Sequence, residues 1–110
     1  MTVTVYIGIG SNLGRREENC LEAIALMEAK GIRALKRSSL YETEPWGVTD
    51  QPLFINMAIE AETEYGPREL LRVLKSIEKE MGRTDSERWG PRIIDLDILF
   101  YDHLVIDEPG

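Results

Sequence analysis

The chain has 110 residues, of which 43% are hydrophobic and 30% charged, so it is long enough for one domain with a modest core. Its net charge of −7 argues against a general nucleic-acid-binding protein, and no stretch approaches the roughly 20 apolar residues of a membrane span. The single cysteine, Cys20, excludes an internal disulfide and, together with an N-terminus that lacks signal-peptide features, predicts a cytoplasmic protein.

A run of β-branched residues opens the chain and leads into a glycine-rich turn. Residues 2–9 predict a strand, and the segment from Gly8 to Gly14 holds three glycines before the first helical pattern. Glycine loops can cradle phosphate, but this one matches neither a Walker loop nor a full dinucleotide-binding fingerprint. A plain strand-to-helix turn is therefore the simpler interpretation.

The first predicted helix covers residues 15–30 and ends at Gly31, a residue suited to a helix C-terminus. Cys20, Ile24 and Met27 recur on one side of this helix, at the spacing of a face that packs against a core. No pattern places a base beside Cys20. We therefore expect this cysteine to be a small core residue and not a nucleophile.

A second strand is predicted over residues 32–42, and a loop over residues 44–52 follows, interrupted by two prolines and a glycine. A loop of this length in a small domain is often functional. Trp46 in this loop either packs down over the core or has a functional role, and composition alone does not decide between them.

The third predicted strand, residues 53–63, has two distinct faces. Phe54 and Asn56 share the less apolar face, because alternate strand residues point to the same side. An aromatic ring can stack on a flat heterocycle, and an amide offers two donors and an acceptor to its edge. The alternative is a surface aromatic beside an asparagine that binds nothing. The apolar face comprises Leu53, Ile55, Met57, Ile59 and Ala61.

Gly66 and Pro67 introduce a second predicted helix, which Gly82 closes. Its apolar residues recur at the spacing of a core-facing stripe, so we expect them to pack against the sheet. Glu78 lies off that stripe, where a solvated acid paired with Arg83 is the simplest interpretation. The stripe consists of Leu70, Leu74, Ile77 and Met81.

The last long strand, residues 93–101, carries the pair of residues on which a functional interpretation depends. Asp95 and Asp97 point to the same face, with Cα atoms about 6.6 Å apart. Aspartate is rare in strands and the two charges repel, so a cation such as Mg²⁺ would explain the pair. The alternative is that both are merely solvated on the wet face of an antiparallel sheet. The predicted core face comprises Ile94, Leu96, Ile98 and Phe100, and the face of the aspartates adds Ile93, Leu99 and Tyr101.

A polar loop, residues 82–92, precedes this strand. Arg83, Arg88 and Arg92 are either solvated surface charges or phosphate ligands, since a guanidinium can meet phosphate oxygens with two parallel hydrogen bonds. Trp89 either packs or flanks a bound ligand. Carboxylates that hold Mg²⁺ beside arginines that hold phosphate are typical of phosphoryl transfer, so we favour that chemistry.

After this strand, residues 102–103 predict a tight turn and residues 104–106 a short returning strand, with His103 as a turn residue and not a base. The predicted order is β-α-β-β-α-β with a terminal β-hairpin. Two helices on one face of a mainly antiparallel sheet form the ferredoxin-like two-layer sandwich of the α+β class. We expect one such domain over residues 1–110.

The motif Arg88-Trp89-Gly90-Pro91-Arg92, followed by Asp95-Leu96-Asp97, closely resembles the signature of the 6-hydroxymethyl-7,8-dihydropterin pyrophosphokinases of folate biosynthesis. The resemblance implies a ferredoxin-like core and transfer of pyrophosphate from ATP to the hydroxymethyl oxygen of the pterin, with release of AMP. It also implies two Mg²⁺ ions bound by the two aspartates. Asp97 is in addition a candidate acceptor of the hydroxyl proton.

The same resemblance assigns roles to the other candidate residues. The family has an aromatic-x-Asn pair at Phe54 and Asn56 that holds the pterin, most often with tyrosine as the aromatic, and its loop at residues 44–52 covers the pterin. The implied pterin-binding residues are Glu44, Pro45, Trp46, Phe54 and Asn56. The implied ATP-binding residues are Glu78, Arg88, Trp89, Arg92 and Ile98, and the implied catalytic residues are Asp95, Asp97, Arg83 and Arg92.

One departure from the family concerns the end of the chain. Family members run on for several dozen residues beyond Gly110, and that segment carries a Pro-His element, an arginine and an aromatic residue that help to hold both substrates. We therefore expect metal and pterin binding to be retained better than turnover. The alternative function is a catalytically impaired ferredoxin-like module that binds a ligand or a partner.

Overall fold

The computed structural model describes residues 2–43, 53–82, 93–102 and 104–105. Residues 104 and 105 are described by their backbone alone. Over these residues it confirms two helices and a β-α-β-β-α-β core that ends in a hairpin. The strands are β1 (Val3–Ser11), β2 (Ile32–Arg37), β3 (Tyr41–Thr43), β4 (Phe54–Thr63), β5 (Asp95–Tyr101) and β6 (Leu104–Val105), and the helices are α1 (Arg16–Ala29) and α2 (Pro67–Glu80).

One antiparallel sheet contains all six strands of the described residues, in the order β2-β4-β1-β5-β6, with β3 also paired to β4. The central pair is β1 and β4, which runs in register from Val3 opposite Thr63 to Ser11 opposite Ile55. Because α1 connects β1 to β2 and α2 connects β4 to β5, each helix crosses over a strand that lies between. This strand order is that of the predicted ferredoxin-like sandwich.

The core lies between the helices and one face of the sheet. Alternate residues of β1 and β4 are buried, and they form one cluster with the apolar sides of both helices. Each fully buried valine, leucine, isoleucine or methionine of this cluster stabilises the fold by roughly 1.5–3 kcal/mol. The predicted stripe of α2 is confirmed, with Met81 partly buried at its end. The helix residues of the core are Cys20, Ala23, Ile24, Met27, Leu70, Leu74 and Ile77.

Cys20 is fully buried under β4, where its thiol lies 3.9 Å from the carbonyl oxygen of Ile55. Burial raises the pKa of the Cys20 thiol to about 11, so the thiol stays protonated at neutral pH. The predicted core role is therefore confirmed. Gly31 and Gly82 also follow their helices as predicted, with φ of 96° and 91°, a conformation that side chains disfavour. Neither α1 nor α2, the helices of the described residues, is long and apolar enough to cross a membrane.

Several predicted strand boundaries change in the structure, and β5, for example, begins at Asp95 and not at residue 93. The strand predicted over residues 32–42 is two strands, β2 and β3. The Ser38 N–H still donates to the carbonyl oxygen of Ala58, but the Ser38 hydroxyl accepts the 2.8 Å hydrogen bond from the Ala58 N–H, and the regular ladder is interrupted after this residue. The glycine turn predicted from Gly8 is also wrong at its start. Gly8 and Gly10 are paired residues within β1, which continues to Ser11.

The end of β5 differs from the prediction in which face its residues occupy. The alternation predicts Phe100 on the core face, but Phe100 is 46% exposed, while Tyr101 is half-buried against the core. The cause is a β-bulge, since β1 pairs with Ile98 and then with Phe100, which leaves Leu99 as the extra residue. One extra residue exchanges the faces of everything beyond it. The Phe100 ring consequently packs edge-on against Tyr6 on the open face, with ring centroids 5.9 Å apart.

Candidate active site

The face of the sheet opposite the helices carries a cleft of about 200 Å³ that runs across β4, β1 and β5. Pockets for drug-sized ligands occupy roughly 300–1,000 Å³. The part of the cleft that the described residues line therefore has the size of one small ring system. The cleft is lined by Gly8, Gly10, Phe54, Asn56, Asp95 and Asp97, among others.

Its acidic wall is the pair predicted from the sequence. Asp95 is half-buried and Asp97 is exposed, and the buried Leu96 between them points to the opposite face. The two aspartates stand opposite Gly10 and Gly8 of β1. They therefore share one face of β5, as the alternation predicts, and both carboxylates line the cleft.

The donor set of this wall fits Mg²⁺. Within the described ranges no three carboxylate, histidine or cysteine side chains group closely enough to form a complete metal cage. Mg²⁺ is ordinarily held by one or two carboxylates together with waters and substrate phosphates, and not by an all-protein cage. Two carboxylates on one wall, Asp95 and Asp97, are thus a donor set that could hold Mg²⁺ together with waters and phosphate oxygens.

Glu78 supports the acidic wall from below. Its side chain is 2% exposed, so the solvated acid inferred from its position off the apolar stripe is wrong. The Oε2 atom accepts a 2.8 Å hydrogen bond from the backbone N–H of Leu96, and Oε1 lies 3.2 Å from the ammonium of Lys75. Because Leu96 separates the two aspartates, this bond from α2 fixes the backbone from which both project.

The opposite wall is formed by Phe54 and Asn56 of β4, which share one face as predicted. The Asn56 amide nitrogen donates a 2.6 Å hydrogen bond to the hydroxyl of Thr43, whose strand β3 runs beside β4. Tyr41 of the same strand also lines the cleft. An aromatic ring and an oriented amide on one wall can stack on a flat heterocycle and bond to its edge.

The floor between the two walls is made by glycines, a feature that the sequence interpretation missed. A Cβ atom at Gly10 would lie 3.0 Å from the Asn56 amide oxygen and 3.5 Å from the Phe54 ring, and one at Gly8 would lie 3.4 Å from Leu99. Glycine inside a strand often marks a close approach by a ligand or another backbone. Two glycines with i, i+2 spacing in an otherwise strong strand were the available signal.

The remaining predicted site residues divide into two groups. Ile98 lies on the helix-covered face with 8% exposure, so its side chain packs in the core and a contact with adenine stays a prediction. The others lie outside the described residues: Glu44, Pro45, Trp46, Arg83, Arg88, Trp89 and Arg92.

Comparison with known proteins identifies the family. The model of the 7,8-dihydro-6-hydroxymethylpterin-pyrophosphokinase (HPPK) family matches residues 6–110. The chain is 59% identical over 97 residues to the mitochondrial folate synthesis bifunctional protein of Pisum sativum, a match that covers 88% of this chain and 19% of that protein.

Two bacterial relatives are both named 2-amino-4-hydroxy-6-hydroxymethyldihydropteridine pyrophosphokinase. The one from Bacillus subtilis is 47% identical over 93% of this chain and 62% of its own length, and the one from Aquifex aeolicus is 45% identical over 94% and 64%. The chain thus spans between 19% and 64% of the lengths of these three relatives. With a family match over nearly all of its residues, the chain belongs to the 7,8-dihydro-6-hydroxymethylpterin-pyrophosphokinase family.

Proposed function

We propose that the chain carries out Mg²⁺-dependent transfer of pyrophosphate from ATP to 6-hydroxymethyl-7,8-dihydropterin, which yields AMP and the pterin diphosphate. The observation that carries the proposal is the cleft itself, in which Asp95 and Asp97 face Phe54 and Asn56 across a glycine floor. One wall suits a metal-bound polyphosphate and the other a flat, hydrogen-bonding heterocycle. Family membership supports the same pair of substrates.

The reaction assigns a different task to each wall. The pterin hydroxyl oxygen attacks the β-phosphorus of ATP, the bond from that phosphorus to the oxygen bridging to the α-phosphorus breaks, and AMP leaves with that oxygen. Phe54 and Asn56 hold the ring so that the hydroxymethyl group points across the floor toward the aspartates. Two bound Mg²⁺ ions, held by Asp95 and Asp97, would neutralise charge that develops on the phosphates. Asp97, the more exposed carboxylate, would accept the hydroxyl proton in this proposal.

Other parts of the proposal rest on the family signature. Arg83, Arg88 and Arg92 bind the phosphates of ATP, and Trp89 flanks the ligands. Glu44, Pro45 and Trp46 cover the pterin. The family resemblance implies that Glu78 contacts the nucleotide or its loop, and this stays a prediction. Because Glu78 is 2% exposed and accepts the hydrogen bond from Leu96, its role in the proposal is exerted through the backbone of β5. The partners are these two small molecules, without nucleic acid or membrane, and the net charge of −7 supports the absence of nucleic acid.

An assay of AMP release tests the proposal. Purified chain is incubated with ATP, Mg²⁺ and the pterin, and AMP is quantified with each component omitted in turn. We expect AMP only when all three are present. Absence of both AMP and pterin binding would contradict the proposal.

A second candidate function is supported by the cleft, whose volume of about 200 Å³ suits one small ring system. It is a ligand-binding or interaction module that keeps the cleft without turnover. Binding of the pterin and of Mg²⁺–ATP, measured calorimetrically, with no AMP released, would support this module over the enzyme.

A cytoplasmic location belongs to the same proposal, supported by the single, buried cysteine. The pea relative is named as mitochondrial, so an organellar location is the competing outcome. Fractionation of cells that express the protein at its natural level distinguishes the two.

A further inference from the structure

We propose that Arg16 is a positioning residue for the pterin-binding wall of the cleft, an inference that rests on the proposed function. Its guanidinium Nη1 donates a 2.6 Å hydrogen bond to the carbonyl oxygen of Leu53 and lies 3.6 Å from Oε2 of Glu42. One nitrogen of α1 therefore contacts β3 and the residue that leads into β4.

Both contacts lie one residue away from groups that form the wall. Leu53 directly precedes Phe54, and Glu42 directly precedes Thr43, whose hydroxyl accepts the hydrogen bond from the Asn56 amide. Thr43 and Phe54 are themselves paired across the β3–β4 ladder. A shift of either strand end would therefore change where the ring of Phe54 stands and how the amide of Asn56 is turned.

The wall needs this support because β3, whose Thr43 orients Asn56, has few stabilising contacts. It is three residues long, all of them exposed, and its only strand neighbour among the described residues is β4. Arg16, by contrast, is the first residue of α1, which is anchored in the core by Cys20 and its neighbours. The guanidinium thus connects a helix that is anchored in the core to the end of β3 and the start of β4, beside Thr43 and Phe54.

The expected consequence is local. The Arg16 and Glu42 side chains are 32% and 53% exposed, and exposed ion pairs contribute little to global stability. Catalytic and binding groups, however, must be held close to their productive geometry for full affinity and rate. Loss of Arg16 is therefore expected to weaken pterin binding while leaving the melting temperature and ATP binding almost unchanged.

The experiment compares Arg16→Gln with Arg15→Gln, a matched control that removes the same charge from the neighbouring residue. Arg15 is exposed and pairs only with Glu18 of its own helix terminus, at 3.2 Å, among the contacts the structure describes. Dissociation constants for the pterin and for Mg²⁺–ATP are measured by calorimetry on the full chain. We expect Arg16→Gln to bind the pterin roughly fivefold to tenfold more weakly, the size of one lost hydrogen bond, and Arg15→Gln to match the parent chain.

A measurement on the chain without ligand tests the positioning role of Arg16 independently of the proposed function. Hydrogen–deuterium exchange over residues 41–43 and 53–57 is expected to be faster in Arg16→Gln than in the parent chain and Arg15→Gln. Unchanged exchange, or weakening of pterin and ATP binding by the same factor, would overturn the positioning role. Failure of the parent chain itself to bind the pterin would instead contradict the proposed function, and exchange alone would then decide the role of Arg16.

Discussion

The two walls of the cleft are built differently. The acidic wall on β5 is held by a buried contact, the bond from Leu96 to the 2%-exposed Glu78 of α2. The wall of Phe54 and Asn56 projects from the central strand β4, but contacts at the surface orient its side chains: the three-residue strand β3, the Thr43–Asn56 hydrogen bond and the partly exposed Arg16.

Because of this difference, we expect the two walls to contribute differently to the stability of the fold and to the affinity for a ligand. The carboxylates that would receive metal and phosphate project from a backbone fixed by the core, so their geometry is set when the domain folds. The orientation of the Phe54 and Asn56 side chains depends in addition on partly exposed contacts, which contribute little to the free energy of unfolding. We therefore expect substitutions behind the acidic wall to change stability, and substitutions behind the other wall to change mainly affinity for the pterin.

Substitution of Asp97 by alanine is expected to have the largest effect on turnover. Removal of a metal-binding carboxylate should lower the rate of AMP release by roughly 10³-fold, in the range seen when charge-stabilising groups are lost. The melting temperature should change little, because Asp97 is exposed. Glu62→Ala, on the same face of the sheet but paired with Arg33, is the matched control. Equal rates in Asp97→Ala and the control would remove the metal hypothesis.

Substitution of Glu78 by alanine tests the buried support. It leaves the N–H of Leu96 without its acceptor, which should lower the free energy of unfolding by about 1–3 kcal/mol. Glu78→Gln keeps an acceptor oxygen and should recover part of this loss. Glu80→Ala, which among the described residues breaks the partly exposed pair with Lys30, should cost about 0–1 kcal/mol. Chemical denaturation of the three variants measures these differences, and equal losses for the two alanine variants would contradict the support role.

The smallest expected effect comes from the wall of Phe54 and Asn56, the proposed pterin site. Asn56→Ala should weaken pterin binding by about tenfold, equivalent to ~1.4 kcal/mol, and leave the affinity for ATP unchanged. The comparison of the two ligands is its own control, because a general loss of structure would affect both. A pterin dissociation constant equal to that of the parent chain would count against Asn56 as a ligand.

Much of the fold follows from periodic sequence patterns. The apolar residues of β4 and α2 recur at strand and helix spacing, and both elements form with the predicted faces. The pairing of Asp95 and Asp97 on one face is likewise a consequence of strand geometry alone. These predictions succeed because each depends only on neighbours within the same element.

The errors involve contacts between elements. The bulge that exposes Phe100 depends on the register between β1 and β5, and the burial of Glu78 depends on a backbone N–H of β5 that lies 18 residues away. Gly8 and Gly10 suggested a loop because glycine is a poor strand former, yet the cleft needs the space that a side chain would fill. Local propensity cannot reveal any of these contacts.

The central claim is that the two carboxylates of β5 bind divalent cations together with a nucleotide. A crystal structure with Mg²⁺ and a non-hydrolysable ATP analogue tests it most directly. We predict ion density about 2.1 Å from oxygens of both Asp95 and Asp97, the distance at which Mg²⁺ binds carboxylates. A well-ordered nucleotide with no ion at these two side chains would contradict the account.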